Sequence, residues 1–271
     1  MAQGPPEERE MDEQSLTVDG AEIAVCHRTG GAPNFVWLGG YRSDMDGTKA
    51  VELDRWCGEH AMACTRFDYS GHGRSGGDFR AGTISRWLGE ALAVTENVCA
   101  PPLVLVGSSM GAWIALRMVA ELNRGGVGDP IAGLLLLAPA PDFTSELHEP
   151  KLTGAQKRDL QEQGYFAEPT PYGPEPNIFT RDLFEDGRNN RVMTGPIDTH
   201  CPVRIIQGQA DPDVPWQHAQ RLFELLSKDD AVISYVKDGD HRLSRPQDIA
   251  MMLDAAGALA GKSGGQGGGQ G

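Results

Sequence analysis

The segment GSSMG, Gly107 to Gly111, sets two adjacent serines between glycines, after the apolar run PPLVLV and before AWIALRMVAEL. It matches G-x-S-x-G with Ser109 in the serine slot, where a strand is expected to pass into a helix. So tight a turn lifts one hydroxyl out at the strand end, beside a helix N-terminus that favours negative charge. The chemistry this suits is nucleophilic attack; the plainer alternative is a Gly/Ser turn opening a helix. A serine hydroxyl is a weak nucleophile and needs a base. His241, in KDGDHRLSRP, follows the last expected strand and precedes the last expected helix, a place none of the other six histidines occupies. The imidazole needs an acid to fix its tautomer and stabilise its cation. Asp211, in GQADPDVPW, directly follows the strand VRIIQG. Asp213 reads as a turn former ahead of a helix beginning at Pro215, and Asp240 adjoins His241, so its side chain is expected to point away.

An oxyanion formed at Ser109 needs hydrogen-bond donors. One is expected from the N–H of Met110, the residue after the serine. The other is expected from the turn after the strand NFVWL, where Gly39 and Gly40 permit close backbone approach and Tyr41 supplies the N–H.

The elements that must position these groups follow from the apolar pattern. SLTV and AEIAVCH read as an opening hairpin around Asp19-Gly20. NFVWLGG, AMACTRFDY, LVLVG, IAGLLLLAP, PVRIIQG and AVISYVKDG read as strands. Between them lie helical periods in GTKAVELDRWCGEH, TISRWLGEALAVTENV (capped by Thr83), MGAWIALRMVAEL, PWQHAQRLFELLS and RPQDIAMMLDAAGALA. The alternation predicts the α/β class: a mostly parallel sheet of about eight strands with helices on both faces. Ligands of such sheets bind at the carboxyl ends of the strands, where Ser109, Asp211, His241 and Tyr41 all fall.

From Pro141 to about His200 the alternation stops. This insertion holds two helix-like pieces, TGAQKRDLQEQ and TRDLFEDGRNN, and no clear strand. It is expected to form a helical lid over Ser109. Its apolar residues include Phe143, Leu147, Tyr165, Phe166, Tyr172, Ile178, Phe179, Leu183 and Phe184. They either line an acyl pocket or pack the lid onto the domain. Phe143, Leu147, Tyr165, Phe166, Phe179 and Phe184 are the candidates for substrate contact. Lys151, Lys157, Arg158, Arg181 and Arg188 read as a solvated face, with a carboxylate-binding role for one arginine as the alternative. The folded domain is expected over 15–261, with 1–14 and the Gly-rich 262–271 disordered.

The chain has 271 residues, 39% hydrophobic and 23% charged, enough for a sizeable core in one domain. A net charge of -14 argues against nucleic acid and anionic membrane surfaces as partners. No apolar run is long enough for a transmembrane helix, so no membrane insertion is expected. The acidic start MAQGPPEEREMDEQ resembles neither a secretory signal nor a transit segment, which makes the cytoplasm the expected location. Five scattered cysteines suggest no disulfide framework, and Cys57, His60 and Cys64 lack a second ligand pair for a metal.

The order Ser109, Asp211, His241 is the chain order of the α/β-hydrolase triad, and FDYSGHGRS is similar to the D-x-x-G-x-G-x-S stretch of that superfamily. GGYRSDMDGTKA, RFDYSGHGRSGG, GSSMGAW, CPVRIIQGQADPDVPW and DHRLS together resemble the acyl-protein thioesterases and acyl-glucuronide esterases of the α/β-hydrolase-domain group. The resemblance implies an α/β-hydrolase fold and a cofactor-free, metal-free serine hydrolase. It would act on carboxylic esters or thioesters of small molecules or acylated proteins. Perhydrolysis or a lyase reaction on the same fold, and a non-catalytic interaction module, are the alternatives. Oligomeric state and acyl chain length are not legible in the sequence.

Overall fold

Asp19 and Gly20 both take positive φ, 45° and 79°, and turn the chain between β1 (Met11–Val18) and β2 (Ala21–Arg28). This is the hairpin geometry for which an Asp-Gly pair is suited. The computed structural model describes residues 11–124, 130–171, 173–226 and 230–263. Residues 1–10 and 264–271, which hold most of both expected disordered ends, lie outside them. β1 corrects the expected boundary: it begins at Met11, inside the segment read as disordered. Its residues are exposed or half-buried throughout, so the apolar alternation that marks a strand is missing there.

Six strands follow in the main sheet: β3 (Gly31–Leu38), β4 (Met62–Phe67), β5 (Leu103–Ser108), β6 (Ile131–Leu137), β9 (Val203–Gly208) and β10 (Ala231–Val236). The order is β1-β2-β4-β3-β5-β6-β9-β10. Only the pairs β1/β2 and β2/β4 are antiparallel; the other five are parallel. Alternate residues of each central strand serve two cores. Val36, Leu38, Leu105, Leu134 and Leu136 face α2 (Ile84–Val98) and α3 (Met110–Arg124) through Trp87, Ala91, Trp113 and Met118. Phe35, Trp37, Val104, Val106, Leu135 and Leu137 face α1 (Thr48–Glu59) and α7 (Pro246–Ser263) through Leu53, Cys57, Met252 and Leu259. Burial of each such side chain contributes about 1.5–3 kcal/mol, which is why LVLV and LLLL occupy the sheet centre. α6 (Trp216–Leu225) packs on the first core through Ala219 and Leu222.

The insertion is built differently from the expectation of two helices and no strand. α4 (Gly154–Glu162) and α5 (Arg181–Asn189) are present, the first closed by a capping box between Thr153 and Gln156, the second capped by Thr180. Between them β7 (Tyr165–Glu168) and β8 (Asn177–Thr180) form an antiparallel pair. Each is four residues long, and the proline-rich PTPYGPEP joins them, so the sequence offers no run long enough to register as a strand. Thr144–His148 makes a π-helical turn. The insertion is tied down at both ends. Buried Asp142 accepts the N–H groups of Val192 and Met193 at 2.8 and 2.9 Å, and the Trp113 indole N–H donates to the Asn190 carbonyl at 2.9 Å.

Candidate active site

Ser109 sits at φ +54°, a left-handed conformation that an L side chain adopts only under constraint. The constraint is steric. A Cβ on Gly107 would lie 2.5 Å from the Gly111 carbonyl oxygen, and one on Gly111 would lie 2.0 Å from that of Leu38. Only glycine lets the start of α3 cross β3 and β5 this closely. Ser108 is the last residue of β5, paired with Leu137 and buried, whereas Ser109 is half-buried and faces the cleft.

The structure brings Ser109, His241 and Asp211 together. His241 Nε2 is 3.0 Å from Ser109 Oγ, and His241 Nδ1 is 2.8 Å from Asp211 Oδ2. With the proton on Nδ1, the serine hydroxyl donates to the imidazole and the imidazole to the carboxylate. Asp211 is enclosed. Its Oδ1 accepts from the N–H groups of Asp213 and Val214, both at 2.9 Å, and its Oδ2 from Gln207 Nε2 at 3.2 Å. Burial alone would raise this carboxyl, but the His241 imidazole and the two N–H groups outweigh it and hold Asp211 below its ordinary pKa. Asp240 turns away, as expected, and accepts the Leu243 N–H at 3.0 Å.

The turn after β3 reaches the same place. A Cβ on Gly40 would come within 3.3 Å of the Ser108 carbonyl oxygen and 3.4 Å of Ser109 Cβ, so the turn rests on the serine. Among the described residues neither the Tyr41 nor the Met110 N–H is taken by another hydrogen bond. The Tyr41 side chain does a second job. Its hydroxyl donates to the Ile178 carbonyl of β8, and its ring stacks on Phe179 at 5.3 Å and 7°.

Tyr41, Ser109, Met110 and His241 line one cleft of about 580 Å³. Of the six substrate-contact candidates, Phe143, Leu147, Phe166 and Phe179 line it too. Tyr165 and Phe184 do not, which corrects the expectation. Tyr165 lies under the Arg80 guanidinium, 3.7 Å from its ring centre, and Phe184 is buried behind Phe166 and Phe179. Leu183 is buried in the core, and Tyr172 lies outside the described residues. Lys157, Arg158, Arg181 and Arg188 are exposed; Lys151 is exposed as well, on the cleft wall.

Several residues escaped sequence reasoning. His148 lines the cleft with its ring against Phe179 (4.4 Å) and Phe143 (5.6 Å), and burial pulls its pKa down to about 4. Buried Gln207 steadies Asp211. Lys49 on α1 donates to the Arg242 carbonyl, securing the loop just after His241, and burial pulls its ammonium down to about 8. His148 and Lys49 come from elements distant in sequence, and Gln207 lies in β9 four residues before Asp211; no local pattern marks any of them. The described residues hold one group whose donor atoms cluster closely enough for a metal, Asp211, Asp213 and His241. The Asp211 and His241 atoms are already committed to each other, to Ser109 and to backbone N–H groups. Cys57 and Cys64 are buried against each other, and His60 stacks on Trp56 instead. No helix among the described residues is long and apolar enough to cross a membrane.

The alpha/beta hydrolase family model matches residues 35–252. The chain is 29% identical over 232 residues to the human palmitoyl-protein thioesterase ABHD10, mitochondrial, covering 85% of this chain and 74% of that one. The solved structure of mouse alpha/beta hydrolase domain-containing protein 10 superposes with a TM-score of 0.81 at 28% identity, over 93% of this chain and 99% of that one. A protein of Agrobacterium vitis S4, provisionally named a hydrolase, superposes with a TM-score of 0.90 at 54% identity, over 93% and 100% of the two chains. With a matched span that runs from β3 into α7 and takes in Ser109, Asp211 and His241, the chain belongs to the alpha/beta hydrolase family.

Proposed function

We propose that this hydrolase cleaves thioesters or oxygen esters of apolar acyl groups, through an acyl-enzyme on Ser109. The observation that carries the reading is the hydrogen-bonded series Ser109–His241–Asp211 opening on a cleft walled by Phe143, Leu147, Phe166 and Phe179. Ser109 Oγ attacks the acyl carbonyl while His241 Nε2 takes its proton. Asp211 stays ionised, keeps the proton on Nδ1 and stabilises the imidazolium. The N–H groups of Met110 and Tyr41 hold the oxyanion, each contributing about 3 kcal/mol in the transition state. His241 then passes its proton to the leaving thiolate or alkoxide, and the acyl group remains on Ser109. A water molecule gives its proton to His241 and attacks the acyl-enzyme; the acid departs and Ser109 recovers its proton.

The thioester arm draws support from the human relative, a palmitoyl-protein thioesterase by name. The aromatic wall suits an acyl chain, and the cleft volume falls in the usual range for small-molecule sites. The substrate is a small molecule or a protein-borne acyl group. This reading keeps the enzyme in the cytoplasm, whereas the human relative is mitochondrial; cell fractionation separates the two.

The test is a fluorophosphonate probe together with p-nitrophenyl esters and acyl-CoA thioesters of graded length. The wild type should be labelled and should turn over medium or long chains in preference to acetyl. Ser109→Ala should do neither. Undiminished turnover by Ser109→Ala would sink the reading.

A further inference from the structure

His72, in FDYSGHGRS, takes no part in the Ser109–His241–Asp211 series, yet it is one of the most buried titratable groups in the molecule, 3% exposed. Edges of Phe79, Trp87 and Tyr69 fence its ring at centroid distances of 5.0, 5.3 and 5.8 Å. Burial pulls its pKa down to about 4, so the imidazole is neutral and carries one N–H and one bare nitrogen. Nδ1 lies 3.1 Å from the Ser70 carbonyl oxygen and must donate there. Nε2 is therefore the acceptor, and it takes the N–H of Arg42 at 3.2 Å.

Arg42 follows Tyr41 at the tip of the turn after β3. Its φ is +57°, in the left-handed region that costs any non-glycine residue free energy. The turn is closed on one side by Ser43, whose N–H and hydroxyl both donate to the Gly40 carbonyl, at 3.1 and 2.9 Å. On the other side its packing is partial: the Arg42 guanidinium donates to the Pro176 carbonyl at 2.8 Å and lies 5.2 Å from the Phe79 ring centre. An open hollow of about 160 Å³ lies there, lined by Arg42, Gly71, His72, Gly73 and Phe79. The guanidinium contacts hold the Arg42 side chain, and those to Ile178 and Phe179 hold the Tyr41 ring; the bond to the imidazole is the one that the Arg42 peptide N–H itself makes.

We propose that His72 is a positioning residue: its Nε2 fixes the Arg42 peptide and so keeps the adjoining Tyr41 N–H aimed at the oxyanion formed on Ser109. The inference rests on the reading of Tyr41 as an oxyanion donor. It gives the otherwise unexplained histidine of GHG a task in the transition state, without contact with substrate.

The experiment compares His72→Phe with His72→Gln in the full chain. Phenylalanine keeps the ring and deletes the acceptor. Glutamine returns a carbonyl acceptor at about the reach of Nε2. With folding verified by circular dichroism and urea midpoint, His72→Phe should lower kcat by about 30-fold, less than the 10²–10³ lost when an oxyanion donor is removed outright. KM should stay within about twofold. Affinity for a trifluoromethyl ketone bearing the substrate's acyl chain should fall by the same factor as kcat, because that ketone forms the oxyanion. His72→Gln should recover most of both. Wild-type kcat and ketone affinity in a folded His72→Phe would overturn the proposal. So would a His72→Gln as slow as His72→Phe with substrate and ketone affinities falling alike, which marks a purely structural ring. If His72→Phe does not fold, His72→Asn replaces it: its shorter carbonyl misses Arg42, so Asn slow and Gln fast supports the proposal, and equal rates overturn it. A wild type that binds the ketone no more tightly than the product acid removes the oxyanion reading itself, and the proposal with it.

Discussion

Asp211 receives the backbone N–H of Asp213 on Oδ1, the carboxylate oxygen that does not face His241. Asp211 thus builds its own loop, through the N–H groups of Asp213 and Val214, with the oxygen it does not turn to the imidazole. Asp211→Asn should cut kcat by about 10⁴, since an amide stabilises the wrong tautomer. It should also lower stability by about 1 kcal/mol through weaker bonds to the N–H groups of Asp213 and Val214. Asp213→Asn keeps its own N–H and should lose far less in rate. Steady-state kinetics and urea midpoints of the two variants check this; the reverse ranking would be fatal to it.

The neighbouring serines should separate cleanly. Ser109→Ala removes the hydroxyl at the cleft and should abolish both turnover and fluorophosphonate labelling. Ser108→Ala removes a buried hydroxyl at the end of β5 and should keep most of the activity. Loss in Ser108→Ala with activity in Ser109→Ala would place the elbow one residue too late.

Glycine at 111 is required by the carbonyls of Leu38 and Gly39, 2.0 and 2.7 Å from where a Cβ would stand. Gly111→Ala should destabilise by about 3 kcal/mol and displace the turn that carries Tyr41. Gly89, within α2, has nothing within 4 Å of such a Cβ. Gly89→Ala should stabilise by about 0.5–1 kcal/mol. Thermal unfolding of both variants measures the contrast; similar midpoints would refute it.

Stability should decline on acidification before carboxylates dominate. The unfolded chain protonates its histidines near pH 6.5, whereas folded His72 does so only near pH 4. In that window the unfolded state binds more protons, so stability is fully present above about pH 6.5 and falls as pH drops toward 4. The contribution of His72 is about 3 kcal/mol. Urea midpoints at pH 7 and 4.5 should diverge less in His72→Gln than in the wild type. An unchanged difference would remove His72 from the account. His27, His148 and His218, whose pKa values burial also lowers, contribute in the same direction.

The sheet was legible because its centre is simple. LVLVG and IAGLLLL are buried on both faces, and no other element accommodates such runs between a Gly-Ser turn and prolines. Ser109, Asp211 and His241 can be singled out because each follows closely on a strand, and strand ends converge at one edge. β1 was half missed because an edge strand that buries neither face carries no alternation. The pair β7/β8 was missed because four residues are too few to show a period. Phe184 and Tyr165 were drawn into the cleft because sequence gives apolarity without direction: α5 turns one into the core, and Arg80 claims the other. His72 is invisible in the chain because its acceptor role depends on an N–H that another loop supplies, and Gln207 because nothing in VRIIQG shows that its side chain turns back to Asp211.

Tyr41 belongs at once to the floor of the cleft, where its N–H is the proposed oxyanion donor, and to the roof, through its hydroxyl on Ile178 and its ring on Phe179. The insertion is consequently not an interchangeable cassette. A segment transplanted from another family member to alter substrate range must bring a carbonyl where Ile178 offers one and a flat ring where Phe179 lies. Without them the graft would loosen the residue proposed to steady the oxyanion, however well its new pocket matched the acyl group.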